Sequence, residues 1–185
     1  MFKKIRAWLF EKLVLLIERI AYRKPYFDLE GYMQRWWVFG SRRRDDDSSK
    51  DWPICARLHR IIASDRERDL HNHPYRWNIS VVLRGGYFEH MPVDPRRPTG
   101  RRETKWRGPG SIIFRGRESV HSVQLSVSDD PLVAEEPALT LFIVGPKCQE
   151  WGFFTKEGFC PWREYSHYLR TGLILSDSQP PSLEV

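Results

Sequence analysis

Three of the six histidines in this 185-residue chain are the side chains best placed by type and spacing to do chemistry. His71 and His73 form a His-x-His pair, and in an extended strand residues two apart project to the same face. Their imidazoles then stand side by side, both able to reach one ion at about 2.0–2.1 Å. His121 opens a β-rich run, Val120–Val127, and supplies a third nitrogen if that run crosses the same interior. A His-x-His pair alone is equally compatible with polar residues on an exposed strand. His59 adjoins Arg60 in another strand-like run, where alternation turns one of the two inward, while His90 and His167 read as surface or hydrogen-bonded side chains. There is no nucleophile elbow, no phosphate-binding glycine loop and no Ser–His–Asp arrangement.

The elements that must position these histidines are short. Ile54–Ile62, Trp77–Leu83, Tyr87–Met91, Ser111–Arg115, Val120–Val127 and Leu139–Val144 are apolar or β-branched runs bounded by Gly and Pro, with no helical pattern between them. That texture predicts an all-β barrel or sandwich. Residues 92–109, rich in Pro, Gly and Arg, read as a long exposed basic loop. Residues 2–22 carry Phe2, Ile5, Leu9, Leu13, Leu16 and Ile20 on one helical face, and Arg23-Lys24-Pro25 ends the helix. Such a helix packs on the barrel or a second subunit, or lies on an anionic membrane surface. Residues 25–40 are aromatic-rich and suit a strand or a pad over a barrel edge; Arg42–Asp47 reads as a solvated loop. Trp162–Leu169 is a second helical stretch. Glu150-Trp151-Gly152 and Trp162 suggest a pad over a barrel edge, and Ser176–Val185 a fraying tail. The division expected is residues 1–50 as an N-terminal extension, 51–170 as the barrel and 171–185 as a flexible tail.

The net charge of +6 is uneven: residues 1–50 contribute +5 and residues 51–185 only +1. The folded part is nearly neutral, which argues against nucleic-acid binding. Cys55, Cys148 and Cys160 are odd in number and widely spaced, which fits free thiols in a reducing cytoplasm rather than a disulfide framework. Glu11 and Lys12 interrupt any signal-peptide core, and no uninterrupted apolar run is long enough to span a bilayer. A cytoplasmic protein is expected.

Two motifs carry a resemblance. His71, His73 and Gly85 fall at the offsets of the first motif of the cupin superfamily, and Gly110 and His121 at those of the second. The phrases His71-Asn-His-Pro, Leu83-Arg-Gly-Gly-Tyr87, Gly108-Pro-Gly-Ser-Ile112 and Glu150-Trp-Gly-Phe153 look like the small cupins of bacterial and phage genomes. The resemblance covers residues 54–145. It implies a double-stranded β-helix (jelly-roll) barrel, with the N-terminal helix outside it, and one divalent ion, Fe, Zn, Ni or Mn, on His71, His73 and His121. The sequence departs from the pattern at Asp65 for the opening Gly, Asn78 for the ligating Glu, and Gly116, Glu118 and Leu125 for Pro, Gly and Asn. Without the carboxylate the shell is neutral, so the ion keeps its charge and favours anionic ligands. Within the superfamily such a set resembles the thiol dioxygenases; many other members have lost their metal and serve as sugar- or metabolite-binding pockets.

If Asn78 faces inward, period two brings Ser80 and Val82 with it, and His121 brings Val123 and Leu125. Asn78 is the expected fourth ligand or water holder, and Arg60, Trp77, Ser80 and Tyr87 the expected substrate pocket. The function expected is a three-His metalloenzyme, dioxygenase-like or an isomerase, or else a small-molecule binder without turnover. Cupins commonly pair, so a homodimer is expected.

Overall fold

The computed structural model describes residues 2–26, 28–40, 52–65, 69–129 and 134–175. Its elements are α1 (Phe2–Ala21), β1 (Met33–Phe39), β2 (Cys55–Ile61), β3 (Leu70–His71), β4 (Trp77–Arg84), β5 (Tyr87–Pro92), β6 (Arg102–Arg107), β7 (Ile112–Gly116), β8 (Ser122–Leu125), β9 (Ala138–Val144), β10 (Gly152–Thr155), β11 (Gly158–Pro161) and α2 (Trp162–Thr171). The expectations for Arg42–Asp47 and Ser176–Val185 fall outside the described residues.

One antiparallel sheet has the order β1-β2-β9-β4-β7. Two further sheets, β11-β10-β3 and β6-β5-β8, are joined where His71 and His121 form an antiparallel bridge. The tight turn between β4 and β5 carries the chain from the five-stranded sheet to the sheet β6-β5-β8. Between the sheets lie Ile61, Val82, Tyr87, Ile113, Val123, Leu125 and Ala138. The inward places of Val82, Val123 and Leu125 follow the strand alternation read from the sequence.

Strand β2 is buried almost along its length because both of its faces are covered. On its outer face Leu58 joins Leu83 and Leu139 under Val14, Ile17 and Ala21 of α1. Arg57 and His59 take its inner face. Across the neighbouring strands Trp37, Arg57, Phe142 and Ser80 stand abreast, and Arg35, His59, Thr140 and Val82 form the next row. Helix α1 therefore makes β2 and β9 two-sided, and so fixes which residues they show to the interior.

Two expectations need correction. Residues 92–109 are not one loop: β6 pairs along β5 from Tyr87↔Arg107 to Pro92↔Arg102. Its residues are almost all exposed, so its composition imitates a loop, while β5 satisfies its backbone; charged side chains suit an edge strand. Nor is the His-x-His pair in a continuous strand. Strand β3 ends at His71, and His73 lies in irregular backbone before Pro74.

Gly85 turns the chain between β4 and β5 at φ 63°, and a Cβ there would clash with the Pro137 carbonyl oxygen. Gly85→Ala is expected to cost about 2–4 kcal/mol, combining left-handed strain with an overpacked contact. Urea unfolding measures it, and a loss below about 1 kcal/mol would mean the turn relaxes freely.

Candidate metal centre

The His71–His121 bridge is reciprocal: each amide donates to the other's carbonyl, at 2.9 and 3.0 Å. Two imidazoles distant in sequence are thereby set opposite one another by backbone alone. The residue between the paired histidines, Asn72, is buried and acts as a pin. Its side-chain amide donates to the Glu150 carbonyl at 3.0 Å and its oxygen accepts from the Gly152 amide at 2.8 Å. Gln149 Nε2 donates to the His73 carbonyl at 2.7 Å. The segment Gln149–Gly152 therefore orients the irregular backbone carrying His73.

The ligand nitrogens of His71, His73 and His121 all lie within 4.8 Å of one another. His73 Nε2 and His121 Nε2 are 2.9 Å apart. Behind two of the rings stand carboxylates: Asp65 Oδ2 lies 3.6 Å from His71 Nδ1, and Glu89 Oε1 lies 3.0 Å, obliquely, from His121 Nδ1. Asp65 is itself fixed, accepting from Tyr32 Oη and the Val123 amide, both at 2.6 Å. A carboxylate beside Nδ1 favours the tautomer with its proton there, leaving the Nε2 lone pair for an ion. Burial, with the charges of neighbouring histidines, holds His73 well below its ordinary value. Burial and Arg115 push His121 down to about 4, against the opposing pull of Glu89. Convergent and largely covered, with His73 and His121 held neutral, this donor set fits a divalent ion such as Fe, Zn, Ni or Mn.

Glu89 is the residue the sequence reading missed. It is fully buried, yet its oxygens bind Arg115, Arg107 (Nε at 2.7 Å) and the His121 edge. Burial alone would raise its carboxyl; the His121 and Arg115 contacts overcome that and hold it well below the usual carboxylate range. Arg115 continues inward, donating from Nη1 to Ser80 Oγ at 2.9 Å and reaching Asn78 Oδ1 at 3.5 Å. Asn78 does face inward, as expected, but its amide oxygen is turned to Arg115 and it does not line the cavity beside the histidines. The guanidinium needs acceptors, and Asn78 serves as one. The available signal was period two: Tyr87, Glu89 and Met91 share one face of β5, so an inward Tyr87 implied an inward carboxylate.

A cavity of about 420 Å³ opens beside the histidines, with Ser80, Tyr87, Arg57, His59, Phe142 and Phe153 on its walls. Arg60 and Trp77, expected at its rim, are elsewhere. Arg60 is the one exposed residue of β2, on its outer face and 3.5 Å from Gln34 Oε1, because alternation gives the inward places to Arg57 and His59. Trp77 is out of phase with Asn78 and Ser80 and lies over Gly145.

No protein-family model and no curated protein sequence matches the chain. Solved structures similar to it include proteins described as cupins. A cupin 2 conserved barrel domain protein from Rhodopseudomonas palustris is 12% identical, over 73% of this chain and 78% of that one, with a TM-score of 0.44. Bacillus subtilis oxalate decarboxylase OxdC is 14% identical over 88% of this chain and 40% of its own, with a TM-score of 0.49. DMSP lyase DddQ from Ruegeria pomeroyi is 14% identical over 69% of this chain and 55% of its own, with a TM-score of 0.40. The chain thus spans about half the length of the last two, and the likeness is one of fold alone.

Replacing Glu89 by Gln leaves two guanidinium groups inside the barrel without their anion. A loss of about 3–5 kcal/mol is expected in urea unfolding, and a variant as stable as the parent would contradict this arrangement. Acid should act in the same direction. Burial and Arg57 hold His59 well below its ordinary value, as His73 and His121 are held. The unfolded chain takes up protons on these rings near pH 6.5 while the folded chain does not, so stability is full above that pH and falls as pH drops toward about 4. Chelator-treated protein should lose roughly 5 °C or more in Tm between about pH 7 and about pH 5, and a flat profile would count against these three rings being held neutral.

Proposed function

We propose that the chain holds one divalent metal ion on His71, His73 and His121 and acts there on a small organic anion, in dioxygenase-like or related small-molecule chemistry. The observation carrying this reading is the convergence of three imidazoles, two of them backed by carboxylates, at the wall of a ligand-sized cavity. A bound ion would supply Lewis acidity toward an anionic ligand or a water.

The chain's own residues support the anionic preference. Arg57 is on the cavity wall and 93% of it is covered, since only 7% of its surface is exposed. Its Nη2 donates to Tyr75 Oη at 2.8 Å, and its Cζ lies 5.5 Å from the Phe142 and Trp37 rings. No carboxylate pairs with it among the described residues. A cation held rigidly in an apolar wall, without an anion of its own, is suited to bind a carboxylate. Phe142 links it to the centre: the ring is also 5.3 Å from His73 and 5.0 Å from His59. One small molecule can therefore reach both Arg57 and the three histidines. The aromatic walls at Tyr75, Phe142 and Phe153 exclude water from the apolar part of such a ligand.

A second reading, a binding pocket without turnover, is favoured by Arg115, which stands against Asn78 where the family pattern has a ligating carboxylate. The two separate by experiment. Purified protein reconstituted with Fe, Mn, Ni or Zn is expected to carry about one equivalent, and His71→Ala and His121→Ala to lose it; well under one equivalent with all four metals would end the metal reading. Arg57→Met should keep the metal and lose the thermal shift that small carboxylates give the parent. Carboxylate shifts indifferent to His71→Ala would favour the second reading.

A further inference from the structure

Helix α1 buries one stripe and leaves another bare. Val14, Ile17 and Ala21 meet the outer face of β2 and its neighbours. Ile5, Leu9, Leu13, Leu16 and Ile20, spaced by threes and fours, form a second apolar stripe along the same helix. They are 38% to 54% exposed, and Trp8 beside them is 59% exposed. Before Phe10 every residue from Lys3 is exposed, so among the described residues nothing covers the first turns of the helix.

The charge around this stripe is one-sided. Residues 1–24 hold seven cations against Glu11 and Glu18, a net +5 of the +6 in the whole chain. Both carboxylates are engaged by the barrel: Arg84 Nη2 reaches Glu11 at 2.6 Å and Glu18 at 3.3 Å. Lys3, Lys4, Arg6, Lys12 and Arg19 have no acidic partner among the described residues; Lys12 lies over the Trp8 ring at 5.7 Å. The first turn carries no acidic residue, so its lysines face the positive end of the helix dipole, where they weaken the isolated helix.

We infer that α1 is a docking face for an anionic lipid surface, with Ile5, Leu9, Leu13, Leu16 and Ile20 entering the acyl boundary and the flanking cations meeting headgroup phosphates. Charge complementarity selects this occupant. A second copy would set +5 against +5 across the stripe, whereas an anionic bilayer offsets both the mutual repulsion and the unfavourable dipole. Among the described residues no helix is long and apolar enough to cross a membrane, so the contact is one of lying in the interface. This face is on the outside of the barrel, and its role is independent of the metal centre.

The test is sedimentation of the full chain with vesicles of phosphatidylcholine alone and of phosphatidylcholine with phosphatidylglycerol, at low and high salt. Binding is expected to the anionic vesicles only and to weaken at least tenfold in high salt. K3Q/K4Q/R6Q should weaken it about a hundredfold. L9E/L16E should abolish it, and since both leucines are exposed the variant's Tm and metal content should match the parent's. Equal binding to neutral vesicles, or none to either, overturns the proposal. So does a dimeric parent, indifferent to vesicles, that L9E/L16E converts to monomer: that result assigns the stripe to a second copy.

Discussion

A two-way backbone bridge between His71 and His121 is the contact on which the rest depends. It joins the two smaller sheets into one wall, and it places a short strand from early in the barrel against one from late in it. Because both partners are histidines, closing the wall and assembling the centre are the same event. His73 then needs only local help, and the Gln149–Gly152 segment gives it through Asn72 and the His73 carbonyl. The C-terminal hairpin β10–β11 is therefore part of the site's scaffold: β10 pairs with β3 through Phe153↔His71.

Inside this wall burial holds His73 and His121 neutral, with Arg115 adding to it at His121 and Glu89 opposing it. Glu89 is saturated by Arg115 and Arg107, and its remaining influence falls on the back of His121. Asp65 does the same behind His71 at longer range. A carboxylate in the ligand shell would neutralise an ion; carboxylates behind the rings instead strengthen the ligands and leave the ion's charge available to something in the cavity. Arg57, on the wall of the same cavity, is the charged side chain on which the proposed anion preference rests.

Much of this was legible in the sequence. The three histidines could be read because ligand chemistry tolerates few residue types, and the alternation of Asn78, Ser80 and Val82 because burial enforces period two. Helix α1 was visible from its apolar spacing. The arginine was placed wrongly: Arg60 and Arg57 differ only in phase on β2, and that phase depends on α1 covering Leu58, a long-range fact. Glu89 was overlooked because a lone carboxylate in a β-run resembles a solvent-facing residue until the arginines that hold it, on β6 and β7, are brought alongside. Asp65 looked like a defect in a motif, and its contact with His71 depends on the fold of a loop. Strand β6 was hidden by its own exposure, since an edge strand has few apolar residues to announce it.

The central claim is that three imidazoles, and no other side chains, take one ion. X-ray absorption on zinc-reconstituted protein tests it most directly. Three histidine nitrogens at about 2.0–2.1 Å with the outer-shell scattering of imidazole rings is the predicted result. Sulfur scattering near about 2.3 Å, or fewer than three imidazoles, would contradict it.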